Sequence, residues 1–274
     1  MNSKIKIRAM PRFYESSADR LVYTGNVANE NYWDQHWDNQ RLNTIYPKSV
    51  SQYNFTVYQT SKYLSPGSKV LEGGCGLATI SWALHLHGYD VTALDYAQET
   101  INFLQQNLAE LPCVLGDVRN SGFSDNYFDA YWSIGVIEHF YDNYDAIAED
   151  MLRIINKSGY LFLTFPYMSP FRKLKTFCRF FSEWQSALHR EKFYQFALNH
   201  KKVVGHYEKL GFKLVDTVPF DAFKGLKEEI GILGKLMQPI YDSKHIFSRI
   251  LRKIIELCFC RFCSHSVLLV LQKL

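Results

Sequence analysis

Between residues 70 and 76 the chain runs Val-Leu-Glu-Gly-Gly-Cys-Gly, a short apolar run that ends on an acid, Glu72, and turns through Gly73, Gly74, Cys75 and Gly76. A strand that enters a helix through such a turn lets backbone approach a flat ligand closely, because no Cβ stands in the way. In an open α/β sheet the turn falls at the carboxyl edge, where ligands bind. The register argues against a dinucleotide: a Gly-x-Gly-x-x-Gly turn needs a glycine where the chain has Thr79, and Glu72 would repel a pyrophosphate. Two further acids close short apolar runs, Asp95 after Val91 to Leu94 and Asp117 after Leu115 and Gly116. A carboxylate in such a place accepts hydrogens from hydroxyl or amino groups. His139 lies just past the run from Phe128 to Ile134, and its titration range suits a general base, although a histidine there also serves to pack or cap the turn. Asp129 opens its run instead of closing it, away from the ligand edge, and reads as structural.

These residues meet only if the runs lie side by side. Residues 69–72, 90–94, 113–115, 128–134, 160–165, 212–218 and 266–271 have the length and composition of strands. Helix-period stretches separate them at 77–87, stopped by Gly88, at 98–108, at 142–155 and at 201–210, closed by Gly211. The turn 156–159 uses Gly159 to supply the positive φ that a helix end often needs. This alternation predicts an α/β fold, a doubly wound, seven-stranded, mostly parallel sheet. One domain is expected. Residues 1–64 form a helical cap over the ligand edge, 65–165 the ligand-binding core, and 200–218 with 266–274 complete the sheet. Two inserted segments, 166–199 and 219–265, remain. The first is aromatic and basic and follows neither period. The second ends in an amphipathic stretch, 244–263, with Ile246, Ile250, Ile254 and Leu257 on one face and Arg249, Lys253 and Glu256 beside or behind it.

Residues 70–76 resemble the first signature of class I S-adenosylmethionine-dependent methyltransferases, and further signatures follow in order. Asp95, ending 91–95, resembles the family acid that accepts both ribose hydroxyls, with Tyr96 next to it. Asp117, within 115–118, resembles the acid that takes the adenine amino group, with the Val118 N–H nearby. Residues 128–133, with Ser133, and 138–140 resemble the fourth strand and its turn. Residues 152–159 and 207–212 resemble the last two helix-to-strand junctions. The likeness spans roughly 65–220 plus the final strand, and four signatures in order make it specific. It implies S-adenosylmethionine as cofactor, held by Glu72, Gly73, Gly74, Cys75 and Gly76 together with the residues just named. Tyr32, Trp33, His36 and Trp37 resemble the aromatic stretch that many members fold over the cofactor, Tyr32 and Trp37 above all; a sulfonium is attracted to an aromatic face, while core packing explains the same residues equally well. One departure is Ala78, where the family usually has a third glycine; it narrows the pocket slightly. Methyl transfer from a sulfonium is an in-line displacement that depends chiefly on positioning. A base, His139 here, is needed only where the nucleophile must lose a proton.

The net charge of +4 conceals an asymmetry: residues 1–165 hold 12 basic and 18 acidic groups, residues 166–274 hold 19 and 9. The basic half either faces an anionic partner or is a solvated surface. The six cysteines match neither a disulfide scaffold nor a zinc site, and no metal is expected. No apolar leader or membrane-length run is present, which suggests a cytoplasmic protein. Nucleic acid is disfavoured as acceptor: Ser133-Ile134-Gly135-Val136 replaces the Asn/Asp-Pro-Pro-aromatic turn of base amino-methylases, and the lone Pro-Cys, Pro112-Cys113, opens the third strand instead of following the fourth. A small-molecule, lipid or glycan-linked acceptor is left, with 166–199 and 244–263 forming a lid over it or making peripheral contact with a membrane. The competing class is a non-catalytic relative of the same fold, against which the intact Glu72, Gly74, Gly76, Asp95 and Asp117 argue.

Overall fold

The computed structural model describes residues 10–25, 27–41 and 44–274. The chain opens with a hairpin, β1 (Arg12–Glu15) and β2 (Arg20–Thr24), and two helices, α1 (Glu30–Arg41) and α2 (Phe55–Ser61). The alternating core follows: β3 (Lys69–Gly73), α3 (Thr79–His85), β4 (Asp90–Asp95), α4 (Gln98–Asn107), β5 (Cys113–Leu115), β6 (Phe128–Ile134), α5 (Asp145–Ile154) and β7 (Ile155–Pro166). An excursion through α6 (Pro170–Phe177), β8 (Ser182–Glu183), α7 (Ser186–His189) and β9 (Phe193–Ala197) leads to α8 (His200–Leu210) and β10 (Phe212–Phe220). Three helices, α9 (Ala222–Glu229), α10 (Ile232–Asp242) and α11 (Ile246–Cys263), precede β11 (Ser266–Lys273).

The main sheet has the order β10-β11-β7-β6-β3-β4-β5, with β11 antiparallel to both neighbours and the other pairs parallel. The expected doubly wound, seven-stranded sheet is present. The chain leaves β3 toward β4 and returns on its other side as β6, so the ends of β3 and β6, paired at Gly73 and Ser133, are a topological switch point. Both faces of the sheet are covered, and successive side chains feed opposite layers. Leu161 and Leu163 enter one core with Ile147, Met151 and Tyr207, while Phe162 enters the other, where its ring stacks on Trp132 at 4.6 Å.

Two features differ from the sequence reading, and a third adds to it. The cap is helical only from Glu30 onward. Its first part, the hairpin, joins β8 and β9, both from the second half of the aromatic, basic segment, in a second sheet of order β8-β1-β2-β9. Strands of two to five residues carry too few side chains to display a period, which is why 166–199 looked irregular. Residues 1–9, within the expected cap, lie outside the described residues. The second difference is at 156–159, where β7 already begins at Ile155 and Ser158, not Gly159, takes the positive φ of 64°. Gly159 is there for space, since a Cβ would stand 2.8 Å from the Asp129 carbonyl oxygen. The third point is one the sequence left open between a lid and a membrane contact: the apolar stripe of α11 faces outward.

Candidate functional site

The carboxyl ends of β3, β4 and β6 surround a cavity of about 520 Å³, roofed by α1. Its floor is the turn after β3. A Cβ on Gly74 would stand 2.6 Å from Val136 Cγ2, and one on Gly76, whose φ is +48°, would stand 2.5 Å from Trp37 Cζ2. Glycine is therefore what lets the tryptophan of the roof rest on the turn. Trp33 and Trp37, one helical turn apart on α1, both line the cavity. Tyr32 does not: it lies on the next face of the helix against His36 and Tyr194, its hydroxyl 3.4 Å from that of Tyr194.

Of the residues expected to bind a ligand, Gly74, Gly76, Asp95, Tyr96, Asp117, Val118, Trp37 and His139 lie on the cavity wall. Glu72, Gly73, Cys75 and Ser133 lie beneath it. The Glu72 carboxylate, 2% exposed, accepts the backbone N–H of Ser81 at 2.9 Å and its hydroxyl at 2.5 Å, so it fastens the first turn of α3 under the loop. Burial raises its pKa to about 7, with the two Ser81 hydrogen bonds opposing. Burial likewise drives the Cys75 thiol far up, out of reach of ionisation. Ser133 Oγ is buried without a partner. Ala78, where a third glycine was expected, is buried in the left-handed region at φ 50° and belongs to the core under the turn.

Asp95 is 5% exposed, and its carboxylate takes backbone hydrogens, Oδ2 from Gly76 at 2.8 Å and Oδ1 from Ala97 at 3.0 Å, with the Tyr96 N–H also turned to it. Burial raises its pKa against those bonds. It thus ties β4 to the glycine turn and keeps acceptor capacity to spare. Asp117, by contrast, is held by Arg119, whose Nη2 lies 2.5 Å from Oδ2 and whose Nε lies 3.0 Å from both oxygens; these bonds pull the carboxyl pKa down. His139, in the short turn Ile137–His139 after β6, donates from Nδ1 to the Tyr194 carbonyl at 2.9 Å. A carbonyl only accepts, so Nδ1 carries the proton and Nε2 is bare. Burial lowers the His139 pKa to about 4 and keeps the ring neutral. Asp129 sits at the opposite edge, accepting from the Lys69 N–H and the Asn156 amide, each at 2.8 Å, as its structural reading required.

Residues 71–163, the segment from the acid-bearing strand to β7, match the model of the family described as a methyltransferase domain. The match takes in the glycine turn, Asp95, Asp117 and His139. Over residues 71–163 the chain carries a methyltransferase domain. The curated relatives agree. A ubiquinone biosynthesis O-methyltransferase of Xanthomonas campestris pv. campestris (strain B100) is 26% identical over 158 residues, 56% of this chain and 61% of that protein. A phthiotriol/phenolphthiotriol dimycocerosates methyltransferase 1 of Mycobacterium ulcerans (strain Agy99) is 31% identical over 104 residues, 36% of this chain and 37% of that protein. The chain therefore aligns with less than two thirds of these relatives. Among solved structures, a SAM-dependent methyltransferase from Archaeoglobus fulgidus superposes with a TM-score of 0.56 at 16% identity, over 88% of this chain and 100% of the other. A TehB-like SAM-dependent methyltransferase from Corynebacterium glutamicum does so at 0.52 and 16%, over 89% and 98%. At those identities they attest the fold of the methyltransferase domain.

Sequence reasoning missed two charged groups, Arg119 on the cavity wall and Glu138 next to His139 in the chain. Arg119 shares the cavity wall with the acid it holds, and an Asp-x-Arg spacing at a strand end is the only signal that could have shown it. Glu138, beside His139, is 2% exposed with Oε2 unpartnered, and burial raises its pKa to about 8. Nothing in its sequence position distinguishes it from a surface acid.

Proposed function

We propose that the chain transfers the methyl group of S-adenosylmethionine to a hydroxyl of a small-molecule or lipid-type acceptor. The observation that carries this reading is the cavity at the switch point, which a glycine turn, the Asp95 carboxylate and two tryptophans line together. Its volume falls within the few hundred to about 1,000 Å³ of cofactor-sized pockets. The cofactor supplies an electrophilic methyl group on a sulfonium. This chain supplies the rest. Asp95, buried and pinned from behind, offers its remaining acceptor sites to a ribose diol. Asp117 suits an adenine amino group, and the Arg119 pair that now holds it is exposed and so weakly held. Trp33 and Trp37 attract a cation and exclude water. His139 presents a bare Nε2 that takes up the hydroxyl proton; at a pKa of about 4 it is a weak base but is unprotonated throughout the neutral range. The names of the two relatives, one an O-methyltransferase and one acting on phthiotriol, favour a hydroxyl on a lipid-type molecule over other acceptors.

Calorimetric titration with S-adenosylmethionine tests the reading. Binding is expected, and Asp95→Ala should weaken it about 10- to 100-fold, the loss of charge-assisted hydrogen bonds. Silence at millimolar cofactor, or binding of NAD(P) in its place, overturns the proposal. Binding without transfer to any member of a lipid, sugar and metabolite pool assigns the chain to the non-catalytic class.

A further inference from the structure

Helix α11 presents its polar side to the protein and its apolar side to water. Inward, the Arg252 guanidinium donates to the carbonyls of Ile240 and Tyr241, Glu256 accepts the Ala222 N–H at 2.6 Å, and Cys263 is buried. Outward lie Ile246, Phe247, Ile250, Leu251, Ile254 and Leu257, which at 100° per residue fall within about 140° of arc. Phe247 and Leu257 are each 73% exposed. Arg249 and Lys253, both exposed, border that arc, and the exposed Arg261 lies within it. Glu256, the only acid in 244–263, is the residue turned inward. The surface continues onto α6 where Phe262 stacks on Phe171 at 5.4 Å, and beyond to Leu174 and to Phe177, which is 85% exposed.

We propose that this face is a docking surface for an anionic lipid bilayer. An apolar stripe running from Ile246 to Leu257 along the 18-residue helix, left in water, is a liability unless something covers it. The charge at its border selects what covers it: cations alone flank the stripe, and the helix has spent its one acid on the protein, which is the complement of an anionic lipid surface. Among the described residues no helix is long and apolar enough to cross a membrane, so the helix lies in the interface. The strand register fixes which part of the molecule it carries there. Ser266, three residues past the end of α11, pairs with both Phe220 and Pro166, and Thr164 pairs with Ile134, so the helix joins the sheet at the same edge as the cavity. Docked through α11, the chain holds its cavity edge near the bilayer, where a lipid-type acceptor resides. The surface does not depend on the transfer reaction: it stands on α11 and α6 alone.

Sedimentation of the full chain with vesicles of phosphatidylcholine alone, or mixed with phosphatidylglycerol, tests it. The anionic vesicles should bind at least about a hundredfold more tightly, and the advantage should vanish at high salt. Arg249→Gln/Lys253→Gln should weaken anionic binding about thirtyfold. Ile250→Ser/Leu257→Ser should weaken it more than about tenfold while leaving the melting transition and the S-adenosylmethionine titration unchanged, because both side chains are exposed. A wild-type chain that remains in solution with both vesicles overturns the proposal. So does a serine variant that turns a dimer into a monomer in sedimentation velocity with no vesicle effect, since a second copy would then cover the face. Vesicle and cofactor binding are read separately, so failure of one leaves the other standing.

Discussion

Glu138 is a carboxyl group that burial keeps protonated near neutral pH, with a pKa of about 8. In the unfolded chain it ionises near 4.5, so folding takes up a proton over the interval between. Its contribution to stability is complete below 4.5 and is lost as pH rises through 8. His139, lowered to about 4, acts in the opposite sense and only below its ordinary 6.5, so the window from 6.5 to 8 isolates the acids. Glu72, at about 7, shares the lower end of that window. Urea unfolding across it should show the wild-type chain losing stability with rising pH while Glu138→Gln, neutral at every pH, loses less. The gap between the two should change by about 1.4 kcal/mol per pH unit in favour of the variant. Parallel curves would mean that Glu138 is ionised in the folded chain. At this scale the sequence was legible where an acid ends an apolar run, as Asp95 and Asp117 do, because strand ends place such acids at the ligand edge. It was silent on Glu138, whose behaviour follows from what packs around it, and on the Ser81 hydrogen bonds by which Glu72 fastens α3.

The parallel strands were readable as elements because each is a short, fully buried apolar run between turn signals, and the helices between them keep a 3.6 period. The hairpin and its two partner strands were not, since their pairing joins residues far apart in the chain, such as Leu21 with Ala197. The helix α1 falls between these cases. Its aromatic cluster was visible, but only the helical phase decides that Trp33 and Trp37 face the cavity and Tyr32 does not. That phase makes a prediction about the element. Trp37 rests on the glycine turn and closes the cavity, yet the helix it belongs to is a cap outside the sheet. Trp37→Ala should therefore weaken S-adenosylmethionine binding about 3- to 30-fold, the range of a desolvated cation–aromatic contact, with little change in melting temperature, and Trp37→Phe should restore most of the loss. An alanine variant that melts well below the wild-type chain would show instead that the roof is part of the core.

On the scale of the molecule, the basic surplus of the second half is not all surface. Arg172 is fully buried, its Nε 2.9 Å from Glu229 Oε1 and its Nη1 bonded to the carbonyls of Tyr167 and His265 at 2.8 and 3.0 Å. Arg12 from the N-terminal hairpin reaches the same carboxylate at 2.5 Å, and Lys175 reaches it at 2.7 Å. Burial alone would raise the Glu229 pKa; the surrounding cations hold it below its ordinary value. One carboxylate thus joins β1, α6, α9 and the ends of β7 and β11, fastening the small sheet and the inserted helices to the main one. No sequence pattern could pair Arg12 with Glu229 across 217 residues, so this joint was invisible in advance. Its energetics set the prediction. Glu229→Gln leaves the buried Arg172 with only Glu228, 3.7 Å away, as counter-charge and should cost about 3–5 kcal/mol in chemical unfolding, whereas Arg172→Met leaves Glu229 paired with Arg12 and Lys175 and should cost less. The double variant Arg172→Met/Glu229→Met removes both buried charges, and Arg12 and Lys175, partly exposed, can turn to water. It should lose clearly less than the sum of the two singles. Additive losses would mean that the two groups act separately, and the joint would then be held by its carbonyl hydrogen bonds and packing instead of by charge.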